Sequence, residues 1–190
     1  MASFNDADQI RKANEGLYAP KTSAMSETYA GIDRSANPNW SGWAIIDKHK
    51  PALVPAMNLA LSHEKELQAK IIKFYLDNYW NPLKLSQIID QNVANCAYDA
   101  SVNMGLGIAA KFMQRACNAL KSGALIVDGI IGNQTLTVIN SLNGEDVYNQ
   151  LNELRRDRYI DIANAEPNKR QFLKTWLARL KPYNHNLINH

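Results

Sequence analysis

A glutamate directly follows the first amphipathic stretch of the chain, in Asn14-Glu15-Gly16-Leu17-Tyr18. The spacing upstream predicts a helix from about Asn5 to Asn14, opened by Ser3 and Asp6, burying Ile10 and Ala13, with Gly16 as a left-handed cap. A carboxylate at a helix C-terminus sits in the partial negative charge of the helix end. That placement favours the protonated carboxyl, and a partly buried Glu holding its proton is what a general acid needs. The plain alternative is a solvated surface glutamate.

Three further segments carry residues of chemical interest. Glu27-Thr28-Tyr29-Ala30-Gly31-Ile32 leads into Pro38-Asn39-Trp40-Ser41-Gly42-Trp43. Trp40 and Trp43 offer flat surfaces of the sort sugars stack on; equally, they could only anchor a loop onto the core. Asp99 and Asn103 lie one helical turn apart and share a face. A helix-capping or interhelical polar contact is the favoured reading of that pair, and direct catalysis is the alternative. Asp128-Gly129 reads as a tight turn, and Gly132 launches a helix.

Helices must position these residues. The pattern predicts helices over Ser62–Tyr79, with Leu67, Ile71, Tyr75 and Tyr79 in one stripe, and over Gln91–Met104 and Ile108–Leu120 around the Gly105-Leu106-Gly107 break. Helices follow at Thr135–Leu142, Asp146–Ala163 and from Pro167 on, the last with Phe172 and Trp176 on one face. Residues 19–42 read as a long irregular segment or small hairpin. Residues 183–190 read as a frayed polar tail. Strands never alternate with helices, so the fold class is mainly α, with at most a minor β-hairpin.

Composition removes several classes. With 46% apolar and 21% charged residues among 190, the chain can build a core and is not disordered. No apolar run is long enough to span a membrane. The start, Met-Ala-Ser-Phe, lacks the features of a signal peptide, so the expected site of synthesis and residence is cytoplasmic unless export or release follows. Cys96 and Cys117 read as buried thiols. His49, His63, His185 and His190 show no metal-ligand spacing, so no metal and no cofactor is expected. The formal net charge is +3, with a balance of −1 over residues 1–100 and +4 over residues 101–190. The basic second half raises nucleic-acid binding. However, Arg155, Arg156 and Arg158 interleave with Glu153, Asp157 and Asp161 as on a solvated helix face, so no nucleic-acid partner is expected.

The ordered series Asn14-Glu15-Gly16-x-Tyr18, Glu27-Thr28-x-x-Gly31-Ile32 and Pro38-x-Trp40-x-Gly42-Trp43 resembles glycoside hydrolase family 108, the lysozyme-like muramidases. A later series resembles the peptidoglycan-binding domain that accompanies them: Tyr79-Trp80-x-Pro82-Leu83, Asp99-x-x-Val102-Asn103-x-Gly105, Gln114-Arg115, Asp128-Gly129, Arg158-Tyr159 and Trp176-Leu177-x-Arg179. Some members of the family are labelled secretion activators.

The resemblance implies a lysozyme-like helical fold, and the absence of a Pro/Gly/Ser-rich linker between the two regions predicts one compact body. Residues 1–88 would be catalytic, 89–182 a peptidoglycan-binding-like region, and 183–190 a tail. It implies cleavage of the β-1,4 bond between N-acetylmuramic acid and N-acetylglucosamine. Glu15 takes the position of the family's acid and Thr28 that of its loop threonine, with Tyr18, Trp40, Trp43, Asp99 and Asn103 as substrate-binding residues. Leu17 replaces the second Gly of the family's Glu-Gly-Gly-Tyr. The family's loop Asp has no counterpart in Ala19–Ser26, which leaves Glu27, Asp33 and Asp47 as the second carboxylates on offer. The partners implied are peptidoglycan glycan strands. A secretion apparatus, a holin (as for an endolysin) or an immunity protein are the companions that action in the wall or periplasm would call for. A glycan-binding or secretion-associated protein with weakened turnover is the competing reading.

Overall fold

The computed structural model describes residues 1–23, 25–50 and 52–187. The described residues are 65% helical, with one two-stranded antiparallel sheet among them. It divides into two compact units. The smaller runs from Arg11 to Asp77, and the larger joins Met1–Ile10 to the chain from Asn78 on.

In the larger unit, α5 (Gln91–Met104) forms because Asp90 caps its N-terminus, accepting the Val93 amide at 3.0 Å, and Gly105 ends it at φ +92°. It buries a continuous run from Gln91 to Ser101. It packs against α6 (Leu106–Leu120) and α8 (Gly144–Ala165), which also pack on each other. The helix α7 (Asn133–Ser141) starts after Gly132, as the turn pattern predicts. Asp128 builds that turn: its Oδ1 accepts the Ile130 amide and the Gln114 side chain, while Gly129 takes φ +82°. The helix expected from Pro167 is a 3-10 segment to Phe172 followed by a short α9 (Leu173–Leu177).

The tail is a correction. Residues 183–187 are held rather than frayed: Tyr183 donates its hydroxyl to Asp90 at 2.6 Å, and Asn184 exchanges two hydrogen bonds with the Asn92 side chain. The amide of Asn92 mimics a strand partner there. Ile188, Asn189 and His190 lie outside the described residues.

The helix α1 (Phe4–Asn14) appears where expected, but its buried face is Ala7, Asp8 and Arg11 rather than Ile10 and Ala13. Gly16 is likewise not the left-handed cap, since its φ is not positive.

In the smaller unit, the segment 19–42 holds a hairpin, β1 (Thr28–Tyr29) with β2 (Ile32–Asp33). Two helices escape the sequence pattern: α2 (Trp43–His49) and α3 (Val54–His63). Pro55 falls in the first turn of α3, where its missing N–H costs nothing. Ser62 ends α3 instead of starting the next helix; α4 (Lys65–Tyr75) follows. Leu67, Ile71 and Tyr75 are buried, but Tyr79 is not the next residue inward. A single π turn over Leu76–Trp80 inserts one extra position and turns Trp80 inward instead.

Candidate active site

The candidate site begins where α1 ends. The Glu15 amide makes the last helical bond, to the Arg11 carbonyl at 2.8 Å, and the side chain leaves the helix half-buried. Facing it is the two-residue turn of the hairpin, Ala30-Gly31, with φ +50° and +81°. Two left-handed residues are what the right-handed twist of paired strands asks of so short a turn. Gly31 carries this conformation without strain; Ala30 does not.

Buried groups hold the turn in place. The Ala30 carbonyl accepts the Tyr75 hydroxyl at 2.7 Å and Arg11 Nη1 at 3.3 Å. The Arg11 guanidinium lies 4.2 Å over the Tyr75 ring, and both residues are almost fully buried. A Cβ on Gly31 would fall 2.7 Å from both Glu15 Oε2 and the Tyr75 hydroxyl. The glycine therefore lets the Glu15 carboxylate lie directly against the hairpin turn.

Thr28 stands on the first strand of the same hairpin. Its Cα partner across the pair is Asp33, so the two side chains share one face, opposite the buried Tyr29 and Ile32. A bridge from Ala19 to Thr28, with two hydrogen bonds of 2.9 Å, brings the chain after Glu15 back alongside β1. Tyr18 is fixed within it by its amide, which donates to Asn58 at 3.0 Å.

The other carboxylates of this unit are all engaged. Glu27 is buried, with Arg34 Nε at 3.0 Å and Lys50 Nζ at 3.1 Å. Asp47 contacts the same two cations, at 2.7 and 2.6 Å. Partial burial opposes ionisation of Asp47, but Arg34 and Lys50 outweigh it and hold the carboxyl below its usual range. The Ser35 hydroxyl, at 2.6 Å, and the amides of Ser35 and Ala36 hold Asp33 low as well. Tyr18 is pushed the other way: burial and a hydrogen bond to Glu27 keep its hydroxyl protonated.

Trp40 is half-buried and meets Trp43 edge-on, with centroids 5.1 Å apart. Its indole covers Gly42, where a Cβ would clash with the ring. Trp43 is buried, donates its indole N–H to the Asn37 carbonyl at 2.7 Å and carries the Arg34 guanidinium 4.5 Å above its ring. The structure thus puts Trp43 in the anchoring role and leaves Trp40 partly open.

Asp99 and Asn103 belong to the larger unit and form interhelical contacts. Asp99 is buried between Arg155, in close contact, and Arg179 at 2.7 Å. Burial alone would raise its carboxyl, but the two guanidinium groups hold it below its ordinary value. Asn103 accepts the Tyr159 hydroxyl at 2.9 Å. Cys96 and Cys117 are free, buried thiols. Among the described residues no group of three His, Cys, Asp or Glu side chains could hold a metal ion, and no helix is long and apolar enough to cross a membrane.

Arg11 and Tyr75 escaped the sequence reading. Tyr75 sits in an apolar stripe and reads as core; the signal was its hydroxyl, which needs a partner once buried.

Two family models match the chain. One, described as glycosyl hydrolase 108, covers residues 10–105, and the other, a predicted peptidoglycan domain, covers residues 108–181. No curated protein matches. Among solved structures, SagA of Brucella abortus has a similar fold, with a TM-score of 0.60 at 17% identity, over 98% of this chain and 96% of that one. The half-buried glutamate against a glycine turn lies inside the first matched segment, which takes in half the chain, and the chain belongs to the glycosyl hydrolase 108 family.

Proposed function

We propose that the chain is a peptidoglycan hydrolase of the muramidase type, cutting the β-1,4 bond between N-acetylmuramic acid and N-acetylglucosamine with Glu15 as general acid. The observation that carries this reading is the Glu15 carboxylate resting against Gly31, in a hairpin turn pinned by buried Arg11 and Tyr75. Glu15 gives its proton to the bridging oxygen as the bond from that oxygen to the anomeric carbon breaks. A water oriented by the Thr28 hydroxyl adds to the anomeric carbon and releases its own proton to solvent. Asp33, the cross-strand partner of Thr28, is held as an anion by Ser35. A carboxylate held low is a weak base but a good counter-charge for the developing oxocarbenium ion. Trp40 and Tyr18 supply cleft walls, with Trp43 holding Trp40. Such an enzyme acts in the cell wall or periplasm after export or release, through a secretion apparatus or a holin.

One observation favours a second reading, a glycan-binding protein with little turnover. Glu27 and Asp47 are both tied to Arg34 and Lys50, and neither is available as a strong base. Incubation with isolated peptidoglycan separates the two. New reducing ends that fall by roughly 10²–10⁴-fold in Glu15→Gln mark the enzyme. Pelleting with the wall, with no new ends from the unaltered protein, marks the binder and ends the muramidase reading.

A further inference from the structure

The larger unit contains a cleft of about 200 Å³ between the C-terminal end of α5, the start of α6, α8 and α9. At ~30 Å³ per water it holds about seven waters, the space of one amino sugar or a short peptide end. Its floor is apolar: Met104, Ile108 and Ile162. One wall is aromatic, with Trp176 stacked on Tyr159 at 5.5 Å and 20°, and Phe172 continuing the surface 6.0 Å from Trp176 and 49% exposed.

The rim supplies donors. Arg158 lines the cleft, and no acidic group pairs with its guanidinium among the described residues; its helix neighbours Asp157 and Asp161 are not within ion-pair reach. Asn103 uses its carbonyl oxygen to accept from Tyr159, which turns its amide N–H₂ toward other partners. Five of the lining residues (Ile108, Arg158, Tyr159, Ile162 and Trp176) fall within the segment matching the predicted peptidoglycan domain.

We propose that this cleft is a separate binding site for a carboxylate-bearing, N-acylated wall fragment, with Arg158 pairing the carboxylate, Asn103 donating to an acyl oxygen and the Trp176 face carrying the apolar part. Charge decides the occupant: a guanidinium with no counter-ion beside an apolar floor favours an anion with a hydrophobic body over a neutral sugar. Two parts of the wall have this chemistry, the lactyl ether of N-acetylmuramic acid and the free end of the stem peptide. The identity of the ligand rests on the wall-acting reading above; the site itself does not use Glu15.

The test is titration calorimetry on the full chain carrying Glu15→Gln, which prevents turnover. The probes are N-acetylmuramic acid, N-acetylglucosamine, N-acetyl-D-alanyl-D-alanine and the amide of that dipeptide. At least one acid is expected to bind about tenfold or more tightly than its neutral counterpart, and Arg158→Gln, an exposed substitution, is expected to remove that advantage. Arg158→Lys is expected to retain part of it, because charge survives while the planar fork is lost. Binding of the sugar acid assigns the lactyl source; binding of the dipeptide assigns the stem. Equal affinity for acid and neutral probes, no binding of either acid, or an unchanged affinity in Arg158→Gln overturns the proposal. If the unaltered protein releases no reducing ends while Arg158-dependent binding persists, the hydrolase reading fails and this site stands.

Discussion

Two carboxylates, Asp99 in the larger unit and Glu15 in the smaller, stand in contrasting settings. In the larger unit, polar side chains are buried and answered by one another across long helices: Asp99 by Arg155 and Arg179, Gln91 by Asn95 and the Ser3 carbonyl, Asn92 by Asn184. In the smaller unit, Glu15 leaves the end of a helix and leans on a glycine of a hairpin only two residues deep on each side. A carboxylate clamped by two guanidinium groups is fixed as an anion and can only hold structure together. Glu15 is instead half-buried, with its carboxylate against the Gly31 turn. Both are acids placed at the end or on the face of a helix, and their surroundings differ: two guanidinium groups for Asp99, a glycine turn for Glu15.

Exchanging each acid for its amide breaks the comparison most directly. Asp99→Asn leaves the buried Arg155 and the partly buried Arg179 without this counter-charge, and about 3–5 kcal/mol of stability should be lost. Chemical denaturation reads this, together with the pH dependence. Because the folded carboxyl of Asp99 is held below its ordinary value of 3.8, its contribution is complete above that pH and disappears as the pH falls through the folded value. The unaltered protein should therefore lose stability steeply below about pH 4, and Asp99→Asn should show a shallower loss. A variant as stable as the original, with the same acid profile, would remove the structural role assigned to Asp99. Glu15→Gln should do the reverse: reducing-end release falls by about 10²–10⁴-fold while the melting temperature stays in place.

Glycine 31 sharpens the contrast, because it joins backbone conformation to the placement of Glu15. Gly31→Ala meets a left-handed backbone, a cost of about 1–2 kcal/mol. The new methyl also falls within 2.7 Å of Glu15 Oε2 and of the Tyr75 hydroxyl. The carboxylate end can swing away; the buried Tyr75 cannot follow as easily. Activity on peptidoglycan should fall further than the stability loss alone accounts for. A drop in melting temperature with full activity per folded molecule would show that Glu15 does not need that contact.

The larger unit was the more legible of the two. The limits of α5 follow from Asp90 and Gly105, and every residue between them obeys a helical pattern that tertiary burial then reinforces. The smaller unit was read less well because its elements are short and its signals compete. Pro55 serves as a first-turn residue of α3, a helix with no signal picked out in the sequence, and Ser62 reads as a helix start but donates its hydroxyl to the Leu59 carbonyl at a helix end. The stripe through Leu67, Ile71 and Tyr75 was visible, whereas the π turn that carries it on to Trp80 has no period of its own in the sequence. Glu15 was legible as a candidate from its type and place. Its seat on Gly31 was not, because it depends on Arg11 and Tyr75 meeting a carbonyl 19 and 45 residues away.

The smallest effect expected concerns that carbonyl. Ala30 holds φ +50°, a conformation that an L-residue with a Cβ adopts at a cost. It persists because its carbonyl is gripped by the Tyr75 hydroxyl and Arg11, both buried. Backbone strain kept at a turn beside a candidate acid is the pattern of a site held in place by its surroundings. Ala30→Gly removes the Cβ clash but gives the unfolded chain more freedom, so the net gain should be only about 0.5–1 kcal/mol, seen as a small rise in melting temperature. Activity should stay the same or fall slightly, because the carbonyl that positions the turn is unchanged. If Ala30→Gly destabilises instead, the left-handed turn is not a point of strain, and the hairpin is held by its own strands rather than by Arg11 and Tyr75.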